Sequence, residues 1–341
     1  MFKKALAILL FTTLAIWGAF STLQAKPKDI RWGTSRVGSS GHRAVTNLSN
    51  VMKGKLGNYE ITVQPTPGAI LTVKGYALGK FEGYYGSDIA FFEYANKIKR
   101  FKGFKGKRDP VQSFWTFTVE MGLGIHARDI GKITSWGDLS GLDVFTGPRP
   151  WDTRAQLNRA LDVLGIKTKY KEVSIKTAGA LLQSGSFKAF GVYTNAEATT
   201  AGWIQQASMQ TDWASLNPSA AEVRKLKAAG FKVVQIPTKI FGKRKTHVAM
   251  ATMLPFYYGL HLGMDIPEND MYRILKAIEA NAAELARADK GFKQIAMDMP
   301  GMQVRGVNAA IDLVKVHPGL AKYMREKGIW QSKWNSRIAT R

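Results

Sequence analysis

Two long extended runs constrain this chain more than any other feature. "SFWTFTVEMGLGIHA" (113–127) and "THVAMATMLPFYYGL" (246–260) are rich in β-branched and aromatic residues. Both are longer than any other strand pattern in the sequence. A typical strand has about five or six residues, enough to cross one sheet. Runs this long read as segments that pass from one lobe into another. They bracket the middle of the chain, which predicts one lobe inserted into the other, with two crossovers forming a hinge.

On both sides of the first crossover, strands alternate with helices. "DIRWGT" is a strand, "GTSRVGSSGH" a Gly/Ser loop, and Val45, Leu48, Val51 and Met52 lie at helical spacing after it. "YEITVQPTPGA" is a strand ended by Pro65 and Pro67, and "ILTVKGYALGK" a helix closed by Gly79. "FEGYYGSDIAFFEYANKI" repeats strand, turn and helix. Past the crossover, "LDVFTG" is a strand, and Thr153 can cap a helix over "RAQLNRALDVLG" that ends at Gly165. "AFGVYTNAEATTAGWIQQA" and "AAEVRKLKAAGFKVVQIP" continue the alternation. The C-terminal third is helical, with one helix over "PENDMYRILKAIEANAAELARA" and a shorter one over "VNAAIDLVK". This is the pattern of an α/β protein with largely parallel sheets.

The first residues read as a signal segment rather than as fold. Lys3 and Lys4 precede the apolar run 5–20, and "STLQA" ends at Ala25. That run is short of the roughly 20 residues a bilayer span needs. The chain has no cysteine, which excludes disulfides, thiolate metal sites and a lipid-anchored N-terminus. The expected location is the periplasm, free of any anchor. The net charge of +24 is large, and "KIKRFKGFKGKR" (97–108) holds seven basic side chains and no acid. Such charge suits a solvated basic face, an anionic lipid surface or an acidic docking partner. For an exported protein nucleic acid is not the expected partner.

Catalytic signatures are missing. The five histidines have no i, i+3 or i, i+4 partners, and no cluster has metal spacing. "GLGIHA" (122–127) matches G-x-G-x-x-A but lacks the following helix and downstream acid, and reads as a closely packed strand. The expectation is a non-enzyme with no cofactor and no metal.

Three polar loops follow strands and precede helices. The first offers Thr34, Ser35, Ser39 and Ser40, with backbone N–H groups freed by glycine. "YYGSD" offers Ser87 and Asp88. "TGPRPWDT" offers Arg149, Trp151, Asp152 and Thr153. In α/β sheets ligands bind beyond the carboxyl ends of strands. Arg149 could clamp a carboxylate, Trp151 and Tyr193 could wall the cleft, and Gly68 and Asn195 complete the candidate set. Plainer roles exist for some. Trp151 can pack against the helix it precedes, Asp88 can be a helix cap, and Arg149 can be solvated.

At this level the sequence resembles the TAXI family of periplasmic receptors of TRAP transporters, from about Ile30 to Trp330. The Gly/Ser loop resembles that family's opening. "ITVQPTPGAILTV", "GSDIAFFEY", "ITSWGDLSGLDVFTGPRPWDT", "MDIPENDMYRILKAI" and "VHPGLAKYMREKGIW" resemble its later motifs in order and spacing. The resemblance implies a two-lobed periplasmic-binding-protein clamshell (type II), with lobe I over 26–122 and 244–341 and lobe II over 123–243. It implies capture of a small carboxylate such as glutamate or 2-oxoglutarate and delivery to TRAP membrane subunits; a monomer is expected. The chain departs from the family at Pro67-Gly68-Ala69, at Gly86 and at Pro150-Trp151-Asp152. A bulkier or aromatic acid, or a solute with a cationic end facing Asp152, fits those changes. The alternative readings are an enzyme on the same bilobal fold and a basic adaptor for polyanions.

Overall fold

The computed structural model describes residues 27–242 and 248–340. The expected signal segment and its cleavage point after Ala25 lie outside the described residues. The chain opens with β1 (Lys28–Thr34), α1 (Ser40–Val51), β2 (Tyr59–Pro65), α2 (Ala69–Ala77), β3 (Gly83–Ser87) and α3 (Asp88–Ala95). The long strand β4 (Trp115–His126) follows. Then come β5 (Asp143–Phe145), α4 (Asp152–Leu164), β6 (Lys169–Tyr170), α5 (Ala178–Gln183), β7 (Ala189–Asn195) and β8 (Thr199–Thr200). After these come α6 (Gly202–Gln210), β9 (Trp213–Leu216), α7 (Ala220–Ala228), β10 (Val234–Pro237) and the second long strand, β11 (Met250–Leu262). The chain closes with α8 (Glu268–Ala280), α9 (Ala282–Ala288), α10 (Lys293–Ala310) and α11 (Pro318–Glu326).

The strands form one continuous ladder in the order β2-β1-β3-β11-β4-β7-β5-β6. β1 pairs in parallel with β2 and β3, and β5 pairs in parallel with β6 and β7. Between these two parallel blocks, β4 and β11 run antiparallel to each other and to their outer neighbours. Each long strand exchanges partners along its length. β4 pairs with β11 over Trp115–Met121 and with β7 over Val119–Ile125. β11 pairs with β10 at Met250–Met253 and with β3 at Tyr258–Leu262, and a bulge lies at Tyr258/Gly259. The two runs are therefore the shared spine of a two-lobed α/β fold.

Where β4 lacks a strand neighbour, side chains take its place. Gln303 accepts from the Trp115 N–H at 2.8 Å and donates to the Trp115 carbonyl at 2.7 Å. Gly306, on the same helix α10, lets that helix pack on the fully buried Trp115, because a Cβ there would lie 2.1 Å from the indole. His261 ties β11 to the residues before β4, its Nδ1 accepting from the Ser113 N–H at 3.1 Å. Burial holds its imidazole down at about 3, so it stays neutral. Such pairing satisfies backbone groups that burial would otherwise strand.

Three local expectations differ from the structure. The helix expected over 267–288 divides at Asn281, whose side-chain amide donates back to the Ala277 carbonyl at 2.8 Å and so competes with helix continuation. The short helix expected over 307–315 is the end of the longer α10, which Pro300 disguises. The backbone breaks at Asp298 (φ −161°, ψ 80°), and the Asp298 carboxylate caps the Gly301 N–H at 2.8 Å. Pro300 thus sits in the first turn of a restarted helix, where proline is tolerated. Finally, α4 starts at Asp152 with Trp151 at its N-cap, so Thr153 lies inside the helix rather than capping it. Among the described residues no helix is long and apolar enough to cross a membrane.

Candidate functional site

The ends of β1, β3 and β7 converge on the middle of β4, where the two long strands exchange partners. At the end of β1 the chain turns through Gly38 (φ +83°), and Ser39 becomes the N-cap of α1, accepting from the His42 N–H at 3.3 Å. Ser35 Oγ and Ser39 Oγ lie 2.7 Å apart. Gly41 is required by close approach: a Cβ there would sit 2.3 Å from the Tyr85 ring. The rings of Tyr85 and Tyr258 stack with centroids 4.1 Å apart and planes 7° apart, forming the wall behind this loop.

From the other lobe, β7 delivers Tyr193 and Asn195. Asn195 lies opposite Val119 of β4 and is 1% exposed. Both polar atoms of its amide lack a hydrogen-bond partner, and the Ser40 hydroxyl lies within reach of the Tyr193 hydroxyl. Tyr193 accepts from Trp203 Nε1 at 3.3 Å. Just beyond, Ala196 and Glu197 hold left-handed backbone (φ +55° and +51°), uncommon for residues with a side chain. Glu120 fixes this corner. Its carboxyl accepts from the Thr194 and Thr118 hydroxyls, and from the Glu197 N–H at 3.1 Å. Burial pushes Glu120 up to about 8, against the pull of those hydrogen bonds.

These residues enclose a cavity of about 30 Å³ lined by Ser35, Ser39, Ser40, Gly41, Tyr85 and Asn195, with Trp151, Asp152, Thr153 and Tyr193 among the others. That is room for a water or two, where one needs roughly 10–15 Å³. The lobes are therefore closed upon each other. The loop before α4 is what fills the space. Trp151 Nε1 donates to the Pro67 carbonyl at 3.3 Å, and a Cβ on Gly68 would meet Pro150 at 3.2 Å. Asp152 is bonded wholly to the opposite lobe. Its carboxylate accepts from Ser87 Oγ at 2.6 Å, from the Tyr258 hydroxyl at 2.8 Å and from Arg100 Nη1. Arg100 also bonds the Pro150 carbonyl at 2.9 Å and Glu93 at 2.7 Å. Burial pulls the Arg100 guanidinium down, but Asp152 and Glu93 more than offset this and hold it charged.

Eight of the thirteen expected residues line the cavity: Ser35, Ser39, Ser40, Trp151, Asp152, Thr153, Tyr193 and Asn195. Ser87 and Gly68 stand just behind it, as partners of Asp152 and Trp151. Thr34 is buried beneath the loop, donating to the Ser35 carbonyl at 3.2 Å. Two residues belong elsewhere. Arg149 is 68% exposed, lies over the Tyr170 ring and faces Glu172 at 3.8 Å, so it is no carboxylate clamp. Asp88 is the first residue of α3, after the Ser87 N-cap, and lines a separate groove near Arg159, where burial raises it to about 7. The Asp152 carboxylate, which a cationic solute was expected to face, already holds Arg100, Ser87 and Tyr258.

Sequence reading missed Arg100, Tyr85, Gly41 and Tyr258. Arg100 stands in the basic segment 97–108, and there the two arginines behave unlike the lysines. Arg108 turns in to the Tyr76 carbonyl at 2.7 Å, as Arg100 turns in to Asp152, while all five lysines are exposed. A planar, multiply donating guanidinium suits such anchoring better than an ammonium. Arginine among lysines was thus the available signal. Among the described residues no group of three histidine or acidic side chains could hold a metal.

A family model described as the NMT1-like family matches residues 40–328, most of the chain and every wall of the cavity except Ser35 and Ser39. The chain belongs to the NMT1-like family. No curated protein matches it. Among solved structures it is similar to the periplasmic binding protein BugD, with a TM-score of 0.51 and 10% identity over 89% of this chain and 98% of that one. It is also similar to the aliphatic sulphonate binding protein SsuA of Escherichia coli, with a TM-score of 0.42 and 14% identity over 88% and 83%. At 10% identity the likeness to BugD bears on fold alone, and it agrees with the two-lobed architecture.

Proposed function

We propose that this protein is a periplasmic solute-binding protein that captures a small organic anion, a carboxylate, and delivers it to a membrane transporter. One observation carries the reading: the buried Asn195 amide, with neither polar atom partnered, faces the N-terminal end of α1 across a cavity shared by both lobes. Buried amides are nearly always hydrogen-bonded, so this one is suited to a ligand. The start of α1 carries no acidic residue, and a helix N-terminus favours negative charge. Asp152, the acid at the cavity, is neutralised by Arg100.

The solute enters the open form, and the lobes close over it through a shift in an existing equilibrium. The proposal assigns no catalytic step. It takes the lobe division 26–122 with 244–341 against 123–243, the monomeric state, and the resemblance to TAXI receptors with their TRAP-type permease, as its finer content. A thermal-shift panel of amino acids, dicarboxylates, 2-oxo acids and aromatic acids tests it. A ligand at 100 times its Kd adds about 2.7 kcal/mol of stability, several degrees in Tm. Stabilisation by an acid, lost in Asn195→Ala, is the expected result. No shift from any member after unfolding and refolding would count against the reading.

A further inference from the structure

Behind the Arg100–Asp152 pair lies a second cavity, far larger than the first. It holds about 670 Å³, within the range of roughly 300–1,000 Å³ usual for small-molecule pockets. Its walls come from both lobes. Ile89, Phe92 and Ile98 stand on one side, and Leu161, Ile166 and Tyr170 on the other. Phe92 is 39% exposed and Ile98 37%, so apolar surface is open to solvent here.

The charge around this apolar lining is one-sided. Lys99, Arg100, Arg154, Arg159 and Lys167 line the groove, against Glu93 and Asp162. Glu93 and Asp152 both pair with Arg100, so the excess positive charge comes from Lys99, Arg154, Arg159 and Lys167. Two guanidinium nitrogens, Arg100 Nη2 and Arg154 Nε, are buried without a hydrogen-bond partner. The Arg154 guanidinium stacks 4.0 Å over the Tyr170 ring, which fixes it at the groove wall. Unpaired buried donors beside apolar walls match a ligand with an acidic head and an apolar body.

We infer that this groove is a second binding site, for an organic acid with a medium-length apolar chain, distinct from the cavity at Asn195. Its occupant touches both lobes and so bridges them in the closed form. The same chemistry could be offered by a free acid or by an anionic lipid surface, and a concave groove walled from both sides favours the free acid.

The test is isothermal titration of the protein with sodium octanoate, and with octylammonium as the charge-reversed control. One saturable octanoate site is expected, with no octylammonium binding. Phe92→Glu, which removes an apolar wall and adds a negative charge, should weaken octanoate at least tenfold. Phe92→Leu should retain the affinity, which separates a binding role from a folding defect. Arg159→Glu should weaken it as well, and Asn195→Ala should leave it unchanged. The inference is overturned if wild type shows no saturable binding, or if octylammonium binds equally well. It is also overturned if Asn195→Ala abolishes binding that Phe92→Glu leaves intact. Retention on phosphatidylglycerol vesicles without binding of monomeric octanoate overturns it too, in favour of a lipid surface.

Discussion

Asp152→Ala should open the clamshell without unfolding either lobe. The side chain belongs to α4, yet its three partners, Ser87, Arg100 and Tyr258, all come from the opposite lobe. Asp152 has a side-chain exposure of 0% and Arg100 of 18%. Removing one partner of a buried ion pair costs about 3–5 kcal/mol when the other charge is left alone; Arg100 keeps Glu93, so the lower end, about 3 kcal/mol, is the ceiling here. Here that penalty falls on the closed form alone, since opening returns Arg100 to water. At about 1.4 kcal/mol per tenfold, the closed-to-open ratio should fall by up to roughly a hundredfold. The chain has no cysteine, so Lys102→Cys and Lys176→Cys give a clean pair of labels on exposed positions of the two lobes. Distances between them, read by electron–electron double resonance, should shift from a short population to a long one. Circular dichroism should stay unchanged. An unchanged distance distribution in Asp152→Ala would refute the latch.

Other perturbations follow from the same site. Glu120 is raised to about 8 by burial, so between its unfolded value near 4.5 and 8 the folded protein binds more protons than the unfolded chain. Stability should therefore fall as pH rises through that window. Glu120→Gln should flatten the slope and match or exceed wild type above pH 8 in urea unfolding. Gly41→Ala forces a methyl group against Tyr85, itself stacked on Tyr258. It should lose about 1–3 kcal/mol of stability and abolish binding in the cleft, as calorimetry with the acid found in the panel would read. Arg149→Ala should leave that affinity within twofold, because its side chain lies outside the cavity.

The sequence made the spine legible because length and composition are local properties. β4 and β11 announce themselves as uninterrupted runs, and the Gly/Ser loop of α1 carries its own turn chemistry. What it hid depends on contacts between distant segments. Arg100 meets Asp152 across 52 positions and Asp152 meets Tyr258 across 106, and no spacing rule encodes either. The sequence places the polar loops at strand ends but does not orient their side chains. Arg149 and Asp152 stand three residues apart, yet one faces solvent over Tyr170 and the other faces the opposite lobe. Helix α10 was hidden by Pro300, which reads as a breaker until Asp298 is seen to restart the helix around it.

The most direct test is a crystal structure of the protein with the acid that stabilises it in the panel. The account predicts its carboxylate within about 2.7–3.2 Å of the Ser39 or Ser40 groups at the head of α1, with the Asn195 amide bonded to the same molecule. A ligand found instead outside this cavity, with the Asn195 amide still unpartnered, would contradict it.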